Sequence, residues 1–200
     1  MITSSPTLPP VLNVPNQLTA SRFFLAIVLF VLIAYSWWAW CLVIFCVAAF
    51  TDWLDGYLAR KQGITSTLGR NLDPLVDKVL TCGAYIFLIP VDGAGIVPWM
   101  VTVVVARELV ITSLRSFLEN RGARFGAEWV GKVKMVLQCA ALLAIFLDLK
   151  ARELWPDSLL FLDMLRDILI YAMLVSTVLS ALQYFWKAAL LLKADDSTDT

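Results

Sequence analysis

Four aspartates, Asp52, Asp55, Asp73 and Asp77, stand in a chain whose surroundings are mostly apolar. The first two belong to the run Asp52, Trp53, Leu54, Asp55, Gly56, Tyr57, Leu58, Ala59, Arg60; Gly69 precedes the second two. At about 100° per residue, Asp52, Asp55, Gly56 and Ala59 share one narrow helical stripe, and Asp73 and Asp77 lie one turn apart on a single face. Two antiparallel neighbouring helices would bring the four carboxylates together at one end of a bundle. Like charges so close raise one another's pKa and cannot all stay ionised without compensation. Hard divalent cations with oxygen ligands relieve the repulsion, and diphosphate chemistry requires the same ions. Gly56, Ala59 and Gly69 leave bare backbone against which a ligand can lie, with Arg60 beside them as a phosphate partner.

A plainer reading has the aspartates capping helices or pairing with Arg60 and Lys78. One or two carboxylates at a helix end would suit it. A charge inside an apolar span costs about 2.5–3.5 kcal/mol on insertion scales. Four in register, interleaved with small residues, favour the metal reading. Pro74 suits a first helical turn and leaves open whether Gly69 is already helical.

The elements that must position these residues are apolar helices. The 200 residues are 60% hydrophobic with a mean hydropathy of +0.78, too apolar for an ordinary soluble domain. Six stretches meet or approach the length of about 20 residues that spans hydrocarbon: residues 17–35, 38–58, 72–91, 97–118, 133–149 and 168–191. The fold class expected is all-α, a polytopic integral membrane bundle of six transmembrane helices. One domain over residues 1–193 and a polar, frayed tail over 194–200 follow from the unbroken pattern. An amphipathic stretch at 152–166 reads as an interfacial segment between the last two spans. Trp37, Trp38 and Trp40 suit an aromatic belt.

Lys and Arg set the orientation. Arg60, Lys61 and Arg70 lie between spans two and three, and Arg121, Arg124 and Lys132 between four and five, with Arg115 and Lys134 at the span ends. The opposite side has Lys150, Arg152 and Arg166 diluted by acids, so the basic loops and both termini are expected in the cytoplasm. Residues 1–14 hold no Lys or Arg and carry neither a basic secretory n-region nor an evident transit peptide. The first helix is expected to be retained, in a bacterial inner membrane. With no histidine, imidazole chemistry is excluded. Cys41, Cys46, Cys82 and Cys139 lie in apolar segments without CxxC spacing, which weighs against disulfides and structural zinc. The balance of 16 basic and 16 acidic residues names no partner; membrane lipids are expected, nucleic acid is not.

From Asp52 to Asp77 the residues read D-x-x-D-G-x-x-A-R, eight residues, then G-x-x-x-D-x-x-x-D. This resembles, without departure, the signature of the CDP-alcohol phosphatidyltransferase family, whose six-span architecture agrees with the segment count. The resemblance implies that Asp52, Asp55 and Asp73 ligate two divalent cations, Mg²⁺ or Mn²⁺, with Asp77 as ligand and general base. It also implies a CDP cradle of Gly56, Ala59, Arg60 and Gly69, and a homodimer. Asn13, Val14, Pro15 and Asn16 with Thr19 and Arg22, Leu72 to Lys78, Ala106–Arg107–Glu108, and Gly131 to Lys134 look like the phosphatidylglycerophosphate synthase branch. That branch transfers the phosphatidyl group of CDP-diacylglycerol to sn-glycerol 3-phosphate. Asp77 would take the proton of the acceptor's primary hydroxyl, which attacks the β-phosphorus as CMP leaves.

A phosphate-bearing acceptor needs cations. Arg107 interrupts an apolar run and is poorly suited to face lipid. Arg107, Lys132, Lys134 and Arg115 are the acceptor-phosphate candidates, whereas Arg121 and Arg124 read as membrane-surface anchors. Glu108 reads as an internal partner of Arg107. Asn16 and Arg22 sit where they would reach the nucleotide, though snorkelling explains an arginine there equally well. Within the family, serine, inositol phosphate or phosphatidylglycerol are the alternative acceptors. A divalent-cation transporter is the rival of another class; it calls for acids spread over several spans and internal repeats. Here the acids gather at one face and no repeat is visible.

Overall fold

The computed structural model describes residues 14–62, 67–120, 129–155 and 160–196, with side chains described for 20–51, 78–118, 129–155 and 160–190. These residues form six α-helices and, among them, no strand. They are α1 Val14–Ala34, α2 Trp38–Gln62, α3 Thr67–Leu88, α4 Pro98–Asn120, α5 Trp129–Leu154 and α6 Leu160–Asp196. Each coincides with one of the six apolar stretches.

The helices close into a ring in which α1 packs on α3, α3 on α4, α4 on α6, α6 on α5, α5 on α2 and α2 on α1, with α3 also reaching α5. The centre holds Leu29, Ile33, Phe45, Tyr85, Leu88, Val104, Leu142, Phe146 and Met173, all nearly sealed. Phe45 meets Phe146 edge-on at 6.1 Å, and Phe30 stacks on Phe87 at 4.9 Å. Gly83 makes the second contact close: a Cβ there would stand 2.2 Å from the Phe30 ring. Tyr85 donates its hydroxyl hydrogen to the Gln138 carbonyl at 2.8 Å, tying α3 to α5.

The exterior is as apolar as the interior. Phe24, Trp40, Phe50, Val136, Tyr171 and Trp186 are all exposed, which water would penalise and lipid would not. Among the described residues, α5 and the Leu160–Leu190 part of α6 are long and apolar enough to cross a membrane. Ala20–Ala34, Trp38–Thr51 and Lys78–Leu88 are shorter apolar stretches. Of the expected tryptophan belt, Trp37 and Trp40 are exposed while Trp38 turns inward.

The α1–α2 turn is a Schellman closure: Trp37 N–H donates to the Leu32 carbonyl and Ser36 N–H to that of Ile33. Ser36 occupies the left-handed position, φ 57°, where glycine is usual.

Three sequence expectations need correction. Helix α3 starts at Thr67, so Gly69 is helical and Pro74 is an interior residue of the helix. Proline has no N–H for the carbonyl four residues earlier, and an interior proline bends or weakens a helix at that point. Whether the motif-bearing turns of α2 and α3 pack on one another lies outside the described residues; the described parts of both flank α1. Second, the 152–166 stretch is no separate interfacial helix. Its described part is divided between the end of α5 and the first turns of α6. The cause is Asp148, fully buried on α5, since a buried carboxylate must be paired. Its Oδ2 accepts from Arg152 Nε at 3.1 Å and from Arg166 Nη1 at 2.5 Å. Arg152 also pairs with Asp163, folding the two helix ends onto one another. Arg166 Nη1 donates to the Gly93 carbonyl at 2.7 Å and so holds the α3–α4 connection. Gly95 lies beneath it at φ +73°, and a Cβ there would come within 2.5 Å of Arg166 Nε. Third, Ala194–Asp196, expected in the frayed tail, continue α6.

Candidate active site

The carboxylate motif falls on two helices. Asp52, Asp55, Gly56, Ala59 and Arg60 lie in the last turns of α2, and Gly69, Asp73 and Asp77 in the first half of α3. Helix is maintained through both stretches, so the three-residue and four-residue spacings place each aspartate pair on one helix face. The side chains of these residues, and of Asn16 on α1, lie outside the described ones. As a donor set, four carboxylates are hard, all-oxygen ligands, the type that Mg²⁺ and Mn²⁺ take. The residues present therefore fit a divalent-cation centre.

Immediately after Asp77 the described structure shows a polar cluster drawn from four helices. Lys78 of α3 donates to the Thr112 hydroxyl of α4, which donates to the Glu108 carbonyl at 2.5 Å. Glu108 is buried, and its Oε1 accepts from Arg107 Nη1 at 3.0 Å and from Lys134 Nζ of α5. Arg107 Nε donates to Ser180 Oγ of α6 at 3.1 Å. The guanidinium lies over the Tyr184 ring at 5.8 Å, within cation–π range. Arg107 and Lys134 side chains are only 10% and 6% exposed, so these charges are held inside the bundle.

Two cations, Arg107 and Lys134, meet one carboxylate, Glu108, and a third, Lys78, stands half-buried beside them on Thr112. Among the described residues the cluster thus carries a formal excess of two positive charges. Buried charge of one sign is costly unless an anion answers it. An arginine fork and a lysine aimed at one place have the chemistry that recognises phosphate oxygens.

Of the acceptor candidates, the structure brings Arg107 and Lys134 together. Lys132, two residues from Lys134 on α5, faces elsewhere: it is exposed and lies over the Trp129 ring at 5.4 Å. Arg115 is half-buried on α4, eight residues beyond Arg107 and about 12 Å along the axis. Arg121 and Arg124 are outside the described residues. Arg22 is buried at 5% exposure, so it does not snorkel. Sequence reasoning missed Thr112, Ser180 and Tyr184. A signal for the last two existed: Ser176, Thr177, Ser180 and Tyr184 form a polar stripe at helical spacing along the otherwise apolar α6.

Cavities of about 280 and 710 Å³ open at the other end of the bundle, around Ser36, Trp38, Asp92 and Arg152. Ser36 precedes α2 by a residue or two whereas the motif closes it, some 20 residues or roughly 30 Å away. Those cavities do not belong to the carboxylate centre.

The profile of the CDP-alcohol phosphatidyltransferase family matches residues 12–182. The chain is similar to the CDP-diacylglycerol–glycerol-3-phosphate 3-phosphatidyltransferase of Bacillus subtilis (strain 168), 33% identical over 193 residues, 88% of this chain and 94% of that one. It is similar to the Salmonella paratyphi A protein of the same name, 34% identical over 178 residues, 86% and 92% of the two chains. The Yersinia pestis (strain Pestoides F) protein of that name is 35% identical over 180 residues, 86% and 93%. Carrying that family's motif unbroken on two helices of a six-helix bundle, the chain belongs to the CDP-alcohol phosphatidyltransferase family.

Proposed function

We propose that this chain transfers the phosphatidyl group of CDP-diacylglycerol to sn-glycerol 3-phosphate, yielding phosphatidylglycerol phosphate and CMP. The observation that carries the acceptor is the pair Arg107 and Lys134 on the buried Glu108 carboxylate, with Lys78, the residue after Asp77, beside them on Thr112. Their excess of two positive charges matches a phosphate monoester dianion, and neither serine nor a neutral polyol would need it. Inositol phosphate carries the same charge; the names of the relatives favour glycerol 3-phosphate.

Asp52, Asp55, Asp73 and Asp77 would hold two divalent cations, which when bound neutralise the diphosphate and polarise the β-phosphorus. Gly56, Ala59 and Gly69 leave room for the cytidine diphosphate against α2 and α3, with Arg60 and Asn16 beside it. Arg107 and Lys134 hold the acceptor phosphate; Arg115 lies further along α4, and Lys132 faces away from them over Trp129. Asp77 accepts the proton of the acceptor's primary hydroxyl. That oxygen bonds to the β-phosphorus, and the bond to the CMP oxygen breaks. A carboxylate is a weak base, so the role depends on its closeness to the hydroxyl.

All six helices cross the membrane in this reading, as one domain of a bacterial inner-membrane enzyme. The motif and the basic connections face the cytoplasm, and the enzyme works as a homodimer. The exposed aromatic and aliphatic exterior supports it, as does the excess of Lys and Arg at the motif end.

The acceptor assignment is tested by steady-state kinetics on Arg107→Ala. Charge-assisted hydrogen bonds contribute about 1.5–3 kcal/mol each. KM for glycerol 3-phosphate should therefore rise roughly 10- to 100-fold, with Lys134→Ala in the same direction. KM for CDP-diacylglycerol should hardly move, and Arg121→Ala serves as control. An unchanged acceptor KM in both cluster variants would remove the phosphate site.

A further inference from the structure

We infer that Glu108 is the positioning residue of the acceptor site, fixing Arg107 and Lys134 on one oxygen so that both cations address the same anion. The inference rests on the acceptor reading above and adds a residue that has no contact with substrate in it.

Arg107 and Glu108 are consecutive on α4, so their side chains leave the helix about 100° apart. They meet because the guanidinium is held at two corners: Nε on Ser180 of α6, and Nη1 on Glu108 Oε1. The same Oε1 accepts from Lys134 across the bundle. Nη2 has no hydrogen-bond partner among the described residues and is left for an incoming phosphate oxygen. Glu108 Oε2 likewise has none among them, so one oxygen makes the whole bridge. Remove that oxygen and two buried cations repel without a shared anchor, losing the convergence that a phosphate needs.

This geometry separates position from charge. Gln presents a carbonyl Oε1 at the same place, and its amide nitrogen falls where the unpartnered Oε2 was. Glu108→Gln thus keeps the bridge while losing the charge; Glu108→Ala loses both.

The test is steady-state kinetics on the purified full-length enzyme with each substrate varied in turn, for Arg107→Ala, Glu108→Ala and Glu108→Gln. Expected are a rise in glycerol 3-phosphate KM of about tenfold or more in Glu108→Ala, recovery to within about threefold of wild type in Glu108→Gln, and an unchanged CDP-diacylglycerol KM in both. Equal impairment of the Ala and Gln variants would overturn the proposal, because charge and not the shared oxygen would then govern. A wild-type acceptor KM in Glu108→Ala, with Arg107→Ala impaired, overturns it while leaving the acceptor site intact. A wild-type KM in Arg107→Ala overturns the acceptor reading itself and this proposal with it. If Glu108→Ala does not give folded enzyme, Glu108→Asp replaces it, since the charge stays and the oxygen withdraws by one methylene. The same rise is expected there, and its absence counts against the bridge.

Discussion

Asp77→Asn should lower kcat by about 10²- to 10⁴-fold, the range that a positioned general base contributes. Asparagine keeps the shape and the oxygen but cannot take up the proton. Asp77 lies on α3 one residue before Lys78, whose ammonium reaches across to Thr112 on α4. The proposed proton acceptor is thereby linked through the backbone to the cluster proposed to hold the acceptor's phosphate. The acceptor hydroxyl must present itself between the two, and losing the carboxylate strands its proton at the moment of attack. CDP-diacylglycerol binding should remain measurable, because three other aspartates and Arg60 are untouched. Asp52→Asn and Asp55→Asn, on α2, should instead weaken metal and nucleotide binding together. Binding of a labelled CDP-lipid, measured beside turnover, separates the two classes. Near-wild-type turnover in Asp77→Asn would show that another group takes the proton.

The second large effect is loss of the divalent cations. Without them, four aspartates and a diphosphate would bring like charges to one end of the bundle, and each repels the others. Exhaustive chelation should reduce turnover at least about a hundredfold, as expected when substrate charge neutralisation and polarisation are both lost. Mg²⁺ or Mn²⁺ should restore it. Ca²⁺, larger and looser in its coordination, should restore less. Full activity in chelated enzyme would rule out the carboxylates as a metal centre.

Much of this was legible in the sequence because lipid imposes simple demands. A helix that crosses hydrocarbon must be long and apolar, so six apolar runs marked six helices, and a charge inside such a run stood out as Arg107 did. Periodicity also gave the faces of the aspartate pairs. What it could not give was which helices touch. Helix α3 packs on α1 and α5 as well as on α4, because neighbour choice depends on shape, as at Gly83 and Phe30. Pro74 read as a helix start because proline usually stands there, but α3 runs through it from Thr67. The 152–166 stretch read as interfacial because its charges suggested water. Buried Asp148 draws Arg152 and Arg166 inward instead. Lys132 and Lys134 looked equivalent as neighbours in the chain. Two residues on a helix are about 200° apart, and only Lys134 turns toward Glu108. Ser180 and Tyr184 were hidden by their plainness: a hydroxyl in an apolar helix usually satisfies its own backbone, as Ser180 does with Thr177.

The central claim, phosphatidyl transfer to a phosphorylated acceptor, is tested most directly by following CMP release from CDP-diacylglycerol by the purified protein, with and without sn-glycerol 3-phosphate. Release should depend on the acceptor, be stoichiometric with formation of phosphatidylglycerol phosphate, and not be supported by serine, inositol phosphate or phosphatidylglycerol. No CMP with glycerol 3-phosphate, or equal release with any of the other acceptors, would contradict it.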